Sequence, residues 1–269
     1  MSKFDGEIQE LEVVMARRRG FTLIELLVVV AIIAVLMSIL MPALDRVKHQ
    51  VKMIKCQSNL HQWGLVMKYY TDDNDGFFMA DLGHGRHAAL SRPELKEYYK
   101  DDRLLLCPSA TRTYEEGAWC PFAAWRSPEP DDPLGSPPCS YGINSWILSR
   151  AYCSRQTEDR MWKTPNISEA PYVPMVCDCA GYENASPWPE DEPPEYDGDF
   201  IQGTNYNEIR YVCINRHGGY INIVFMDFSV RKVALKRLWD LWWNRKWQEE
   251  IVQVGQPTWP EWMLDLPER

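Results

Sequence analysis

The side chains with chemical potential in this chain fall into four sets. The first is eight cysteines: Cys56, Cys107, Cys120, Cys139, Cys153, Cys177, Cys179 and Cys213. A zinc centre read from local spacing needs CxxC pairs, and only Cys177-Asp178-Cys179 approaches one, with a single residue between. In an oxidising compartment an even number of cysteines reads instead as up to four disulfides, whose pairing the spacing does not choose. Each bridge over tens of residues would contribute about 3–4 kcal/mol on the chain-entropy model. A buried free thiol is the other reading of Cys56.

The second set is acidic. Between Glu183 and Asp199 stand seven acids and no Lys or Arg. Glu195, Asp197 and Asp199 are calcium candidates there, set against a solvated acidic loop. Thr71-Asp72-Asp73-Asn74-Asp75-Gly76 resembles part of a calcium loop, but Leu82 stands where the closing glutamate belongs, so it reads as a helix stop. The third is His217, followed by two glycines and, after nine residues, by Asp227. No serine or cysteine nucleophile stands at a catalytic spacing from it, and it reads as a structural hydrogen-bonding residue at a strand entrance. The fourth is one carboxylate, Glu25, inside an apolar run. None of these sets predicts an enzyme, and no cofactor beyond the calcium candidate is expected.

The composition frames the elements that must hold these residues. Of 269 residues, 45% are hydrophobic and 25% charged, and the formal net charge is −9. These values describe a globular chain without general affinity for nucleic acid. A mean hydropathy of −0.39 excludes a polytopic membrane protein but permits one span. From Phe21 to Leu44 the only charge is Glu25, and the nineteen residues from Leu26 to Leu44 carry none. As a helix that stretch is about 28 Å long, close to the hydrocarbon thickness, and it is apolar on every face. Arg17, Arg18 and Arg19 before it set the amino terminus in the cytoplasm and the rest of the chain across the membrane. A carboxylate within a bilayer costs about 2.5–3.5 kcal/mol, so Glu25 calls for a partner that the apolar run lacks.

Arg19-Gly20-Phe21-Thr22-Leu23-Ile24-Glu25 resembles the prepilin signature of type IV pilins and type II secretion pseudopilins. The resemblance implies cleavage between Gly20 and Phe21 by a prepilin peptidase, then N-methylation of Phe21. Glu25 would meet the new amine, its own or a neighbouring subunit's, during assembly into a filament. The implied partners are the peptidase, identical or related subunits and the inner-membrane assembly machinery. The implied place is the inner membrane, crossed once, with a periplasmic or otherwise extracytoplasmic head; a type II secretion pseudopilus and a surface type IV pilus both satisfy the motif. His217–Asp227 is also similar to a His-x9-Asp-Gly segment of prepilin-like proteins, as are Cys107-Pro108 and Tyr141-Gly142-Ile143-Asn144. Phe228 replaces the glycine, so a longer or open turn is expected after Asp227.

The expected fold is therefore α+β and pilin-like. Residues 1–20 form a leader, 21–44 a transmembrane or filament-core helix kinked at Pro42, 45–76 an amphipathic stem and 77–269 a head. Met53, Cys56, Leu60, Trp63, Met67 and Tyr70 make the stem's buried stripe. Proline density limits the first part of the head to short strands and loops. Tyr220–Met226 and Val230–Val233 read as a hairpin, and Leu235–Val254 as a tryptophan-rich terminal helix. Those tryptophans suit core packing, a subunit interface or sugar stacking. The alternative function is a monomeric anchored module, processed the same way, that binds a glycan or a cation.

Overall fold

A computed structural model describes residues 22–80, 90–118, 120–126, 137–150, 157–181, 184–199 and 207–269. The chain divides into two units, Met1–Val47 and Lys48–Arg269. Helix α1, Leu23–Asp73, contributes to both. It begins on a reciprocal capping box. The hydroxyl of Thr22 accepts the Glu25 N–H at 3.2 Å, and Glu25 Oε2 accepts the Thr22 N–H at 2.9 Å and its hydroxyl at 2.8 Å. The helix continues through Pro42, which has no N–H to give the Ser38 carbonyl. Every residue from Thr22 to Gln50 is exposed. Among the described residues α1 is the helix long and apolar enough to cross a membrane.

In the second unit α1 turns amphipathic. Cys56, Asn59, Leu60, Trp63, Gly64, Val66, Met67 and Thr71 are buried, so four of the six stripe residues reach the core; Met53 and Tyr70 stay half-buried. The helix stops where Asp75 (φ 53°) and Gly76 (φ 80°) enter the left-handed region and the Gly76 N–H reaches back to the Thr71 carbonyl at 2.8 Å. This is a Schellman-type cap, so Thr71–Gly76 is a helix stop.

The head is built on one sheet ordered β3-β1-β2-β4-β5. The strands are β1 (Tyr141–Asn144), β2 (Pro174–Asp178), β3 (Asn184–Ala185), β4 (Tyr220–Phe225) and β5 (Val230–Ala234). The four long strands pair antiparallel, and the two-residue β3 adds a parallel edge to β1. Strands β1 and β2 are buried along their whole length, as are five of the six residues of β4, which places them between packed layers. Helices α2 (Pro93–Lys96), α3 (Trp247–Val254) and α4 (Glu261–Leu264) are short, and 3₁₀ turns supply most of the remaining regular structure. The architecture is α+β and pilin-like: a long apolar amino-terminal helix, a small, mainly antiparallel sheet, and carboxyl-terminal helices.

Two expectations change in this region. The terminal helix is not continuous: a 3₁₀ helix over Leu235–Asp240 is followed by irregular chain and then by α3. The backbone N–H of Trp242 goes to the Tyr172 carbonyl at 3.1 Å and that of Arg245 to the Arg160 carbonyl at 3.1 Å, so the body takes the donors a helix would use. After Asp227 the turn is the longer one. Phe228 N donates to the Phe225 carbonyl and Phe225 N to the Ser229 carbonyl, both at 2.9 Å, with Phe228 itself left-handed at φ 64°. This is the three-residue hairpin that ends in a positive-φ position, here filled by a half-buried phenylalanine.

Gly64 of α1 lies under that hairpin. A Cβ there would stand 3.1 Å from Val224 Cγ2 and 3.6 Å from the Phe228 carbonyl oxygen. Gly64→Val should therefore overpack the contact and lower stability by about 1–3 kcal/mol. Denaturant titration followed by tryptophan fluorescence measures this, and an unchanged midpoint would show that the hairpin tip yields freely.

Candidate functional site

Four chemically potent side chains converge in the second unit. Cys56 comes from α1, and Cys107 follows the 3₁₀ turn Asp102–Leu105. Asp178 ends β2, and His217 precedes β4. One Sγ, nitrogen or carboxylate oxygen from each of the four lies within 4.8 Å of those from the others. The site is dry: Cys56 and Cys107 are fully buried, and the side chains of Asp178 and His217 expose 0% and 2%.

Local structure explains each placement. The β2–β4 ladder pairs Cys177 with Ile223, and one step further the Asp178 carboxylate replaces a strand partner. Its Oδ2 accepts the Asn222 N–H at 2.9 Å and lies 3.3 Å from His217 Nε2. Its Oδ1 accepts from the Cys56 thiol and from Arg216 Nη1, both at 3.3 Å. Cys107 is held by its own N–H, which donates to Ser140 Oγ at 2.6 Å, and its sulfur lies 3.5 Å from His217 Nε2. The Tyr141 hydroxyl donates to Cys56 Sγ at 3.4 Å, and Asn59 Nδ2 donates to that hydroxyl at 3.4 Å.

Arg216 closes the cluster from behind. It is fully buried and donates to the carbonyls of Pro121, Ala123, Ser140 and Cys179 as well as to Asp178. Burial alone would push the Asp178 carboxyl up. The charge and hydrogen bond of His217, with Arg216 and the Asn222 N–H, outweigh it and hold the group well below the usual carboxylate range. Burial likewise opposes a charged His217, yet Asp178 raises the imidazole to about 9. Burial, with the neighbouring Cys107 and Asp178, raises Cys56; the Cys56 hydrogen bond, His217 and Arg216 bring Cys107 down against burial. The interior of this head thus holds paired charge.

The other sequence-singled residues lie elsewhere. Asp227 sits at the β4–β5 turn, where its Oδ1 accepts the Ser229 N–H at 3.0 Å and hydroxyl at 2.6 Å. His217 and Asp227 are therefore separated by the length of β4, about 20 Å, and do not form a dyad. Glu195, Asp197 and Asp199 do not converge as a ligand set among the described residues. Asp199 Oδ2 accepts the Glu195 N–H at 3.2 Å and pairs with Arg210 at 3.2 Å; Asp197 Oδ1 accepts the Asn215 N–H at 2.9 Å. Nor is the acidic segment a freely solvated loop. Asp191 and Asp199 are buried, and Asp191 Oδ2 accepts three backbone N–H groups, from Trp188, Glu208 and Ile209.

The expected disulfides are not found among the described residues: seven cysteines carry unbridged thiols. Cys153, and the processing pair Gly20 and Phe21, lie outside the described residues. The terminal tryptophans pack on the body: Trp239, Trp243 and Trp247 are fully buried, and Trp242, Trp259 and Trp262 are partly buried against the core. Spacing rules missed the cluster because its members are far apart in sequence. In Cys177-Asp178-Cys179 the residue that joins the cluster is the acid between the two sulfurs. Thr22-x-x-Glu25 is a capping-box pattern, a local signal that the sequence itself carries.

Residues 15–41 match the family model described as the prokaryotic N-terminal methylation motif. The matched segment runs into the long apolar helix α1, which begins within it at Leu23 and continues to Asp73, a combination consistent with a type IV pilin-like protein. No curated protein and no solved structure matches the chain.

Removing the cation behind the cluster tests its electrostatics. Arg216→Met leaves four carbonyls short of a donor and Asp178 with His217 as its one remaining cation, so the head should lose about 3–5 kcal/mol. Calorimetry of the variant beside the parent reads this; equal transition temperatures would mean that water replaces the guanidinium.

Proposed function

We propose that this chain is a structural subunit of a type IV pilus-like or type II secretion pseudopilus filament. A prepilin peptidase cleaves between Gly20 and Phe21 on the cytoplasmic face, and Phe21 is N-methylated. The span 21–44 first holds the subunit in the inner membrane, with the head outside the cytoplasm. It then moves into the filament core beside identical or related subunits, delivered by the inner-membrane assembly machinery. The observation that carries this reading is the exposed apolar surface of α1 from Leu23 to Leu44, most of which lies within the matched methylation motif at residues 15–41. Such a surface needs lipid or other helices around it. A head-to-tail array that does not close supplies the helices.

Glu25 takes two roles in this scheme. In the single chain it caps α1 through Oε2, and both of the bonds from Thr22 fall on that one oxygen. Oε1 is left for the amine of Phe21 on a neighbouring subunit, which would neutralise the charge inside the apolar core. The chain itself carries out no chemistry in this reading. An anchored binding module remains the second reading, favoured by an open groove of about 600 Å³ beside the stacked Tyr172 and Trp242, with Asp240 and Gln256 on its wall.

Processing and assembly separate cleanly by mutation. Gly20→Val should leave the leader attached, and intact mass spectrometry of the parent should show a chain beginning at methylated Phe21. Glu25→Ala should be cleaved normally but lose at least tenfold in sheared filaments. Cysteines placed along residues 26–40 should cross-link between subunits in the parent only. A parent chain that keeps its leader, or shows no cross-links, removes the filament reading.

A further inference from the structure

The geometry points to a buried tetrahedral metal site of the zinc class, held by Cys56, Cys107, Asp178 and His217. The donor set is two sulfurs, one imidazole nitrogen and one carboxylate oxygen, each a ligand type that zinc takes in proteins. Their separations fit one ion. A tetrahedron with zinc–sulfur bonds of about 2.3 Å and zinc–nitrogen or zinc–oxygen bonds of about 2.0 Å has edges of about 3.5 Å from sulfur to nitrogen and about 3.3 Å from nitrogen to oxygen. Cys107 Sγ and His217 Nε2 are 3.5 Å apart, and His217 Nε2 and Asp178 Oδ2 are 3.3 Å apart. Cys56 Sγ lies 3.3 Å from the other carboxylate oxygen, Asp178 Oδ1.

Three further observations favour an ion over a set of mutual hydrogen bonds. The charges close: two thiolates and one carboxylate balance a divalent cation together with the buried Arg216. The ligands already have the outer contacts that orient a metal's donors. Asp178 is fixed by Arg216 and the Asn222 N–H, Cys56 receives the Tyr141 hydroxyl, and the Cys107 backbone is tied to Ser140. The ligands also come from a helix, a loop, a strand end and a strand entrance spread from position 56 to 217. A clip across such long loops gains the most from loop closure, in a head whose seven described cysteines form no disulfide. Four protein ligands in a dry interior leave no open position, so the ion is structural. Binding it releases two protons, the Cys56 thiol proton and the one held by the Cys107–His217 pair, and His217 coordinates as neutral imidazole.

The test uses the full chain in detergent, dialysed and measured by elemental mass spectrometry. The parent should hold stoichiometric zinc. Cys107→Ser and His217→Gln should lose it to background, whereas Cys120→Ser, outside the cluster, should keep it. Ligand variants that fail to fold leave a second measurement on the parent itself. With cobalt(II) alone as the probe, the apo-chain should develop a thiolate-to-cobalt charge-transfer band and the intense visible bands of tetrahedral cobalt, and added zinc should abolish them. A folded parent that takes up neither ion overturns the proposal, as does peptide mapping that finds Cys56 bridged to Cys107. Leader processing plays no part in these readouts, so they stand apart from the fate of the filament reading.

Discussion

The head of this protein depends on one buried anion. Asp178 ends the central strand β2 where neither face of the sheet meets water, and it can remain charged there only because donors reach it from every side. Meeting that requirement fixes much else. The β2–β4 register must present the Asn222 N–H, the chain before β4 must bring Arg216 and His217 inward, and α1 must place Cys56 one helical turn before Leu60 and two before Trp63. A buried ion pair is not itself strong evidence of stability. Its effect here is to exclude arrangements: any slip of register leaves a charge without a partner.

A second constraint follows from how little regular structure the head has. Among the described residues its helices after α1 run to eight residues at most, and many backbone carbonyls therefore lack ladder or helix partners. Indole groups supply the missing donors. Seven tryptophans, Trp63, Trp146, Trp162, Trp239, Trp243, Trp247 and Trp262, donate their ring N–H to a backbone carbonyl, most of these in loops or 3₁₀ turns. A buried indole brings a large apolar surface and one polar handle, which suits a core that must satisfy irregular chain. This accounts for the high tryptophan content better than an exposed sugar-binding or subunit surface does.

How far the residues could be read in advance depended on the range of the interaction. Patterns within one element were legible: the uncharged run to Leu44, the stripe through Cys56, Leu60, Trp63 and Met67, the stop at Asp75-Gly76, and the hairpin forced open by Phe228. Failures came where distant groups decided the outcome. Tyr172 and Arg160 take donors from the 241–246 segment, and so a periodic pattern that looked like one helix became two pieces. The acids near Asp191 looked solvated because backbone donors from Glu208 and Ile209 cannot be foreseen from their own neighbourhood. The polar cluster was the hardest case, since no local motif joins Cys56, Cys107, Asp178 and His217.

That wide spacing has a consequence for biogenesis. Cys56 emerges early in synthesis, and His217 only 161 positions later in a chain of 269. Until then the acid at the end of β2 has no counter-ion and the central strands cannot close over it. The head must therefore stay open through most of its synthesis and settle in one late, long-range step, since non-local closures of this kind are slow to form. A nascent chain of this design stays unfinished until His217 has been made, and relies until then on whatever shields its open strands.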